Sequence, residues 1–505
     1  MSQLISRRDF LRGSLGLIGA SVFVQAVGVS EAFAQGETSD TAVSSENAIY
    51  HEELVTVGAD RMAVTWVTEQ PGSTVLWLGE HPERLTRYTF GGATRYHLAE
   101  VDRLLPATRY FYQVETDGVR GPLNTLRTLP APRGSLLYRV GFVSDSHIAT
   151  QAGEGDPNQL YLGKLLEDGP ELLRSALDDL VRKGANYLVH GGDLTESGRA
   201  DEYALFRNVV APYAAALPFA AVPGNHDKYQ KKTGGVGEAG FREYVSGELY
   251  RAEVQGDALF VYLDSARTNN DWGYIPQAEL RWLDATLAAH REKKAFLVLH
   301  HPTNGMDVWF GTTNFLQFQN IVKRYPNVQG VFAGHMHRNY VTVGKGARGA
   351  LPYVELPATV QFPNGYGLVD VYEGGIVYTS HKVSALHLSE KSREKVLRQL
   401  SDLYVLYTLG CAGDRALTFD VEQGTVVRQE GFLLTAVVEL RTALGLLRDA
   451  ITRRVSLTAA EAKNLVRVVF GRFATREEAE RRKAELAQIV PFPLSIREEN
   501  AAVRI

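Results

Sequence analysis

Five short segments carry side chains whose types and spacing could hold metal ions: Asp145-Ser146-His147, Gly192-Asp193, Gly224-Asn225-His226-Asp227, His300-His301-Pro302 and Gly334-His335-Met336-His337. Mixed carboxylate, imidazole and amide donors suit divalent first-row metals and are too rich in nitrogen for a Mg or Ca cage. A carboxylate can bridge two ions roughly 3.5–4 Å apart, the spacing with which two-metal hydrolases clamp an in-line displacement. The flanking glycines let the backbone turn sharply and come close to a ligand. Six of the 13 histidines fall in these segments. The others, His51, His81, His97, His190, His290, His381 and His387, read as structural or surface residues, and His301 as packing behind its neighbour.

Each segment follows an apolar run: residues 140–143, 187–190, 220–222, 296–299 and 330–333 in turn. Sites of open α/β sheets form just past the carboxyl ends of strands, so five such runs can deliver their polar ends to one point. Helix-like spacing at 173–181 and 205–216 lies between the runs, and strands alternating with helices predict an α/β layered domain. Before it, short alternating runs at 62–68, 74–78 and 109–114, parted by Pro71-Gly72, Gly91-Gly92 and Asp117-Gly118, predict a small β-sandwich. Leu104-x-Pro106-x-Thr108-x-Tyr110 resembles the tyrosine corner of fibronectin type III modules, with Trp66 as core tryptophan. Pro130-Ala131-Pro132-Arg133-Gly134 reads as a linker. After about residue 382 the rhythm fades: 389–403, 432–453 and 475–489 have helical spacing and 465–470 is strand-like. Residues 466–486 resemble the first strand-helix half of a SPOR-type peptidoglycan-binding module; a helical tail packed on the catalytic domain is the preferred reading.

The five motifs in order resemble the calcineurin-like metallophosphoesterase superfamily, over about residues 137–385. The resemblance implies a four-layer αββα sandwich at 136–385, preceded by a small all-β fibronectin-like sandwich at 47–130, as in purple acid phosphatases. A mostly helical α+β region of unknown role would fill 386–505. It also implies the roles. Asp145, His147 and His337 bind a first metal, Asn225, His300 and His335 a second, and Asp193 bridges them. His226 sits over the substrate and Asp227 orients it. Read from their positions alone, Glu196 and Arg199, close to the bridging Asp, either shape the pocket or belong to a solvated loop, and Trp309 and Phe310 read as ordinary packing or as a pocket wall. Purple acid phosphatases have Asp-x-Gly where this chain has Asp145-x-His147, and a tyrosine where it has Glu196, so no ferric-tyrosinate chromophore is expected. The pattern is closer to bacterial phosphodiesterases. The implied activity is hydrolysis of phosphodiesters by attack of a metal-bound hydroxide, with two divalent or mixed-valence ions of Fe, Mn or Zn. Phosphomonoester hydrolysis is the alternative, and a non-catalytic envelope binding protein a weaker one.

Ser6-Arg7-Arg8-Asp9-Phe10-Leu11, an apolar run at 11–29 diluted by glycines, and Ala32-Phe33-Ala34 resemble a twin-arginine (Tat) signal peptide over 1–34. A polar leader follows at 35–46. Tat export of a folded, metal-loaded protein to the periplasm or medium is expected, with the Tat machinery as partner. A single cysteine, Cys411, rules out an intramolecular disulfide. A net charge of −4 and no long Lys/Arg run give no sign of a nucleic-acid surface. The expected partners are small phosphoesters and, weakly, the cell wall.

Overall fold

The computed structural model describes residues 48–151, 163–231, 233–305, 311–400 and 402–429, and beyond these 431–439, 456–462, 465–473, 476–487, 494–499 and 502–503. The expected signal peptide, leader and cleavage site lie outside the described residues, as do Trp309, Phe310 and most of the loop before Gly163.

The N-terminal strands are β1 (Ile49–Val57), β2 (Arg61–His81), β3 (Arg84–Asp102), β4 (Arg109–Thr116), β5 (Val119–Arg120) and β6 (Asn124–Arg127). The two runs expected either side of Pro71-Gly72 are one strand, β2, with the β2–β3 register slipping between Val67 and Thr74. A bulge absorbs a proline that cannot donate to the ladder. Trp66 is buried, stacks on His97 at 4.8 Å and donates to Thr116. Tyr110 Oη accepts from the Leu105 backbone N–H at 2.9 Å, the contact a tyrosine corner makes.

The central part runs β7 (Leu136–Val143), α1 (Gly169–Arg182), β8 (Tyr187–His190), α2 (Ala200–Ala216), β9 (Phe219–Ala221), α3 (Glu238–Tyr244), β10 (Arg251–Gln255), β11 (Ala258–Tyr262), α4 (Gln277–Ala289), β12 (Lys294–Val298), α5 (Phe315–Val322), β13 (Val328–Ala333), β14 (Tyr340–Lys345), β15 (Ala350–Glu355), β16 (Gly365–Tyr372) and β17 (Gly375–Lys382). Then come α6 (Leu386–Gln399), α7 (Asp402–Leu409), α8 (Ala412–Arg415), β18 (Ala416–Asp420), β19 (Thr425–Arg428), β20 (Gly431–Glu439), β21 (Ser456–Ala462), β22 (Leu465–Phe473), α9 (Arg476–Ala487), β23 (Ser495–Glu499) and β24 (Ala502–Val503).

Among the described residues, two mixed sheets face each other, ordered β24-β19-β18-β17-β16-β7-β8-β9 and β10-β11-β12-β13-β15-β14. Their inner faces share one apolar core, in which Phe142 of β7 stacks on Phe332 of β13 at 4.4 Å. Leu172, Leu173, Leu177 and Leu180 of α1, with Tyr203 and Phe206 of α2, cover the outside of the first sheet. Leu280, Leu283 and Leu287 of α4 and Phe318 and Val322 of α5 bury the outside of the second. This is the αββα layering expected. The sheet does not stop at residue 385, however: β18, β19 and β24 extend it.

The C-terminal end also departs from the preferred reading. Residues 432–439, expected to be helical, lie in the strand Gly431–Glu439, and the rest of that helix, 440–453, lies outside the described residues. Alternating Phe432, Leu434, Ala436 and Val438 satisfy a two-residue period as well as a helical one, and pairing to β22 and β23 decides between them. The result is a four-stranded antiparallel sheet, β21-β22-β20-β23, with α9 packed on it. It is not a helical tail.

β1 meets the catalytic domain through buried charge. Glu53 pairs with Lys382 of β17 and, at 2.6 Å, with Arg393 of α6. Removing the carboxylate leaves two half-buried cations without their partner, which costs about 3 kcal/mol or somewhat less when burial is partial. Glu53→Gln is expected to lower unfolding stability by that order in urea titration; a change under about 1 kcal/mol would show that water reaches the pair.

Candidate metal centre

The five motif segments leave the ends of β7, β8, β9, β12 and β13 and converge where the two sheets abut. Asp145, His147, Asp193, Asn225 and His300 are fully or almost fully buried, and His337 nearly so. The turns are tight. Asp145, His147, Asp193, His335 and His337 all have positive φ, from 43° to 73°. Residues with a Cβ seldom take this conformation, and such outliers gather at functional sites. Gly224 and Gly334 are forced by contact: a Cβ on Gly224 would meet Asp193 Oδ1 at 2.1 Å, and one on Gly334 would meet Ser144 Oγ at 2.1 Å.

Two donor groups form around Asp193. In the first, His147 Nε2 stands 3.0 Å from His337 Nε2, and His337 Nε2 3.3 Å from Asp145 Oδ1. Asp193 Oδ2 lies 3.5 Å from His147 Nε2 and 3.2 Å from His300 Nε2, so it belongs to both groups. In the second, Asn225 Oδ1 lies 3.2 Å from His300 Nε2 and 3.0 Å from His335 Nδ1.

The partners of the far ring nitrogens set what faces inward. His147 Nδ1 is 2.7 Å from Glu196 Oε2, an acceptor, so the proton sits on Nδ1. His337 Nδ1 donates to Gln361 Oε1 at 2.5 Å, and His300 Nδ1 to the Gly191 carbonyl at 2.9 Å. With these rings in the neutral form that a metal ligand requires, each Nε2 presents a lone pair toward other lone pairs and carboxylate oxygens. Buried acceptors facing acceptors repel unless a cation lies between them. The donor set thus fits two metal ions, Asp145, His147 and His337 on one, Asn225, His300 and His335 on the other, Asp193 shared. Burial brings the His147 imidazole down to about 3, which keeps it the neutral ligand a metal requires. Burial pushes the Asp145 carboxyl up, but His337 outweighs it and holds it at about 2.

Around this lies a shell that the motifs did not announce. Lys164 is buried, with Nζ 2.9 Å from Glu196 Oε2 and 3.1 Å from His147 Nδ1. Burial alone would raise the Glu196 carboxyl; the Lys164 ammonium, with His226 and His147, holds it well below the ordinary range. Glu196 is therefore an inner member of the site, and the Lys164 ammonium already occupies the acid-imidazole cluster of His147, Glu196 and His226. Arg199 turns away to Asp201. No residue pattern points to Lys164 or Gln361; each reaches the site through a loop. His301 is buried with Nδ1 3.0 Å from Ser265 Oγ, its ring 4.5 Å from that of His335. His190 holds the Gly192 N–H at 3.2 Å, a structural role as expected.

His226 lies at the rim, half-buried, its ring 4.5 Å from that of His147. Its Nδ1 is 2.6 Å from the Glu196 carbonyl, which fixes the proton there and leaves Nε2 to face outward chemistry. The expectation that Asp227 orients His226 is corrected. Among the described residues Asp227 accepts from Leu194 N, Thr195 N, Thr195 Oγ1 and Gly224 N, and none of its bonds goes to His226. Residues 226–228 form a single 3-10 turn, in which adjacent side chains diverge by about a third of a circle. Asp227 ties the Asp193 turn to the Asn225 turn; Glu196 orients His226.

Residues 138–339 match the family model of calcineurin-like phosphoesterases. A probable cyclic nucleotide phosphodiesterase of Fibrobacter succinogenes is 26% identical over 206 residues, covering 40% of this chain and 73% of that protein. A glycerophosphodiester phosphodiesterase of Enterobacter lignolyticus is 26% identical over 235 residues, 44% of this chain and 77% of that one. A solved dimetal phosphatase of Danio rerio aligns with 49% of this chain and 96% of its own at 15% identity and a TM-score of 0.41. The chain carries a calcineurin-like phosphoesterase domain and is a metal-dependent phosphoric ester hydrolase.

The metal-free site holds a proton that a metal must displace. Burial disfavours charge on His300, but Asp193 and Asp145 outweigh it and lift the imidazole to about 9. Loading with Mn(II) at pH 7 is expected to release about one proton from this residue, and apparent affinity to weaken roughly tenfold per pH unit below about 9. Potentiometric titration of metal-free protein measures both, and uptake without proton release would contradict the assignment of His300.

Proposed function

We propose that this chain hydrolyses phosphodiesters outside the cytoplasm. The observation that carries the catalytic part is the pair of buried donor groups sharing Asp193, with His226 beside them at the rim. Relatives named as phosphodiesterases support the diester preference. Two ions of Fe, Mn or Zn held there would supply Lewis acidity toward phosphoryl oxygens and acidify water for in-line attack. The chain's own residues do the rest. Asp145, His147 and His337 would hold one ion, Asn225, His300 and His335 the other, and Asp193, which faces both groups, would be shared. Glu196, charged through its contact with Lys164, keeps the His147 lone pair turned inward, and its carbonyl keeps His226 Nε2 toward the substrate. From there His226 can donate to a phosphoryl oxygen or to the leaving group.

Bis-p-nitrophenyl phosphate is expected to give a higher kcat/KM than p-nitrophenyl phosphate in protein reconstituted with Mn or Fe. Asn225→Ala should abolish turnover, and His226→Ala should lower kcat by about 10²–10⁴-fold. A monoester preference would overturn the diester reading. Inactivity toward both substrates would overturn the catalytic one.

The twin-arginine motif supports export, and the resemblance of residues 466–486 to the first strand-helix half of a SPOR module, carried by β22 and α9, supports a weak association with the cell wall. The protein is expected in the periplasmic or culture fraction, and Arg7→Lys with Arg8→Lys should retain it inside the cell. Co-sedimentation with purified sacculi should depend on the chain beyond residue 430. A native protein found only in the cytoplasm, or sacculus binding that survives removal of that region, would refute the respective half.

A further inference from the structure

Asn225 has a difficulty that the carboxylates and histidines do not share. A carboxylate offers an oxygen whichever way it turns. An amide offers a ligand atom on one side only, and flipped by 180° it presents an NH₂ group that repels a cation. In this site Asn225 Oδ1 faces His300 Nε2 and His335 Nδ1, at 3.2 and 3.0 Å. The amide's other end is also engaged. Nδ2 donates to Tyr229 Oη at 3.0 Å, and Tyr229 Oη donates in turn to the Asp271 carboxylate.

The hydrogen count of this chain admits one arrangement. A phenol has one hydrogen, and Asp271 receives it. Tyr229 Oη then has only lone pairs to offer Asn225, so the end of the amide facing it must be Nδ2. A flipped amide would set Oδ1 against an oxygen with no hydrogen to give, and NH₂ against the imidazoles. Each bond also polarises the next in a partly buried relay. Tyr229 is four residues from Asn225, at the end of the 226–228 turn, and its ring lies 4.8 Å from that of His226. Asp271 reaches in from the loop between β11 and α4.

We propose that Tyr229 and Asp271 are a positioning pair that locks the Asn225 amide with its oxygen toward the second ion. The proposal rests on the two-ion reading of the site. The pair would touch neither metal nor substrate and would act through Asn225 alone.

The test is a calorimetric titration of metal-free protein with Mn(II), which resolves the two ions by affinity without any substrate. Tyr229→Phe keeps the ring beside His226 and removes only the hydroxyl. It is expected to bind the second ion about 10–100-fold more weakly, the effect typical of losing a hydrogen-bond partner of a metal ligand, with the first ion unchanged. Orientation is separated from general damage by repeating the change on Asn225→Asp, whose two oxygens are equivalent. There Tyr229→Phe should cost no more than about threefold, a strongly non-additive cycle. The lock is overturned if Tyr229→Phe binds both ions as the wild type does, or if it weakens the second ion equally in both backgrounds. A wild-type protein that takes up no second ion overturns the two-ion reading, and the lock with it.

Discussion

The rest of the structure depends on a repulsion. The donor atoms of four imidazoles, an amide oxygen and two carboxylates are gathered against one another within a space almost closed to water. In a medium that screens so poorly such a cluster is tolerable only around positive charge, from protons or from metal ions. The fold's work is to hold the groups there. Five strands end at the same place, and the ligand-bearing turns take left-handed backbone at Asp145, His147, Asp193, His335 and His337, at a cost of about 1–2 kcal/mol for each such residue. Strands buried on both faces, such as β12 and β13, supply the rigidity against which those turns persist.

The turns are also cross-tied. Ser144 Oγ donates to Asp145, and the His335 N–H donates to the same carboxylate, so two of the five segments share one group. Asp227 does the same between the Asp193 and Asn225 turns. On the far side, α6 fastens the segment that delivers Lys164: Gln399 accepts from Gly163 N, Ser392 donates to the Gly163 carbonyl, and Lys395 donates to the Lys164 carbonyl. That helix lies beyond the residues matched to the family, so part of what holds His147 in place comes from outside the shared domain.

Much of this was legible in the sequence, for a definite reason. Each candidate metal-binding segment is local: its one or two donor residues sit in a short motif with glycine, histidine or proline neighbours, immediately after a strand. Both signals survive in a short window. Lys164, Gln361 and Asp271 carry no such window; the loops that bring them in are fixed by contacts hundreds of residues apart in some cases, as between Gly163 and Gln399. Tyr229 is local, four residues after Asn225, but belongs to no ligand pattern. Asp227 misled for the opposite reason. It stands next to His226 in the chain, but a turn of three residues per revolution points neighbours apart. In the C-terminal region the apolar spacing at 432–438 served two periods, and only pairing with distant strands made it β-structure.

The division of ligands between the sheets gives the site a further property. Asp145 and His147 follow β7, and Asn225 follows β9, all in the eight-stranded sheet; His300 follows β12 and His335 and His337 follow β13 in the other. Each of the two donor groups therefore draws on both sheets. Neither group can be complete unless the sheets are packed at their proper separation, and that separation is set by the shared apolar core, where Phe142 meets Phe332 just behind the ligands. Packing and coordination are thus one constraint seen from two sides. The core brings the lone pairs together against their repulsion, and a cation between them would tie β7 and β9 to β12 and β13 more firmly than apolar contact alone. This explains why the site lies on the seam between the sheets and not on either sheet's open edge, where the same residues could spread apart and the repulsion that selects a metal would be lost.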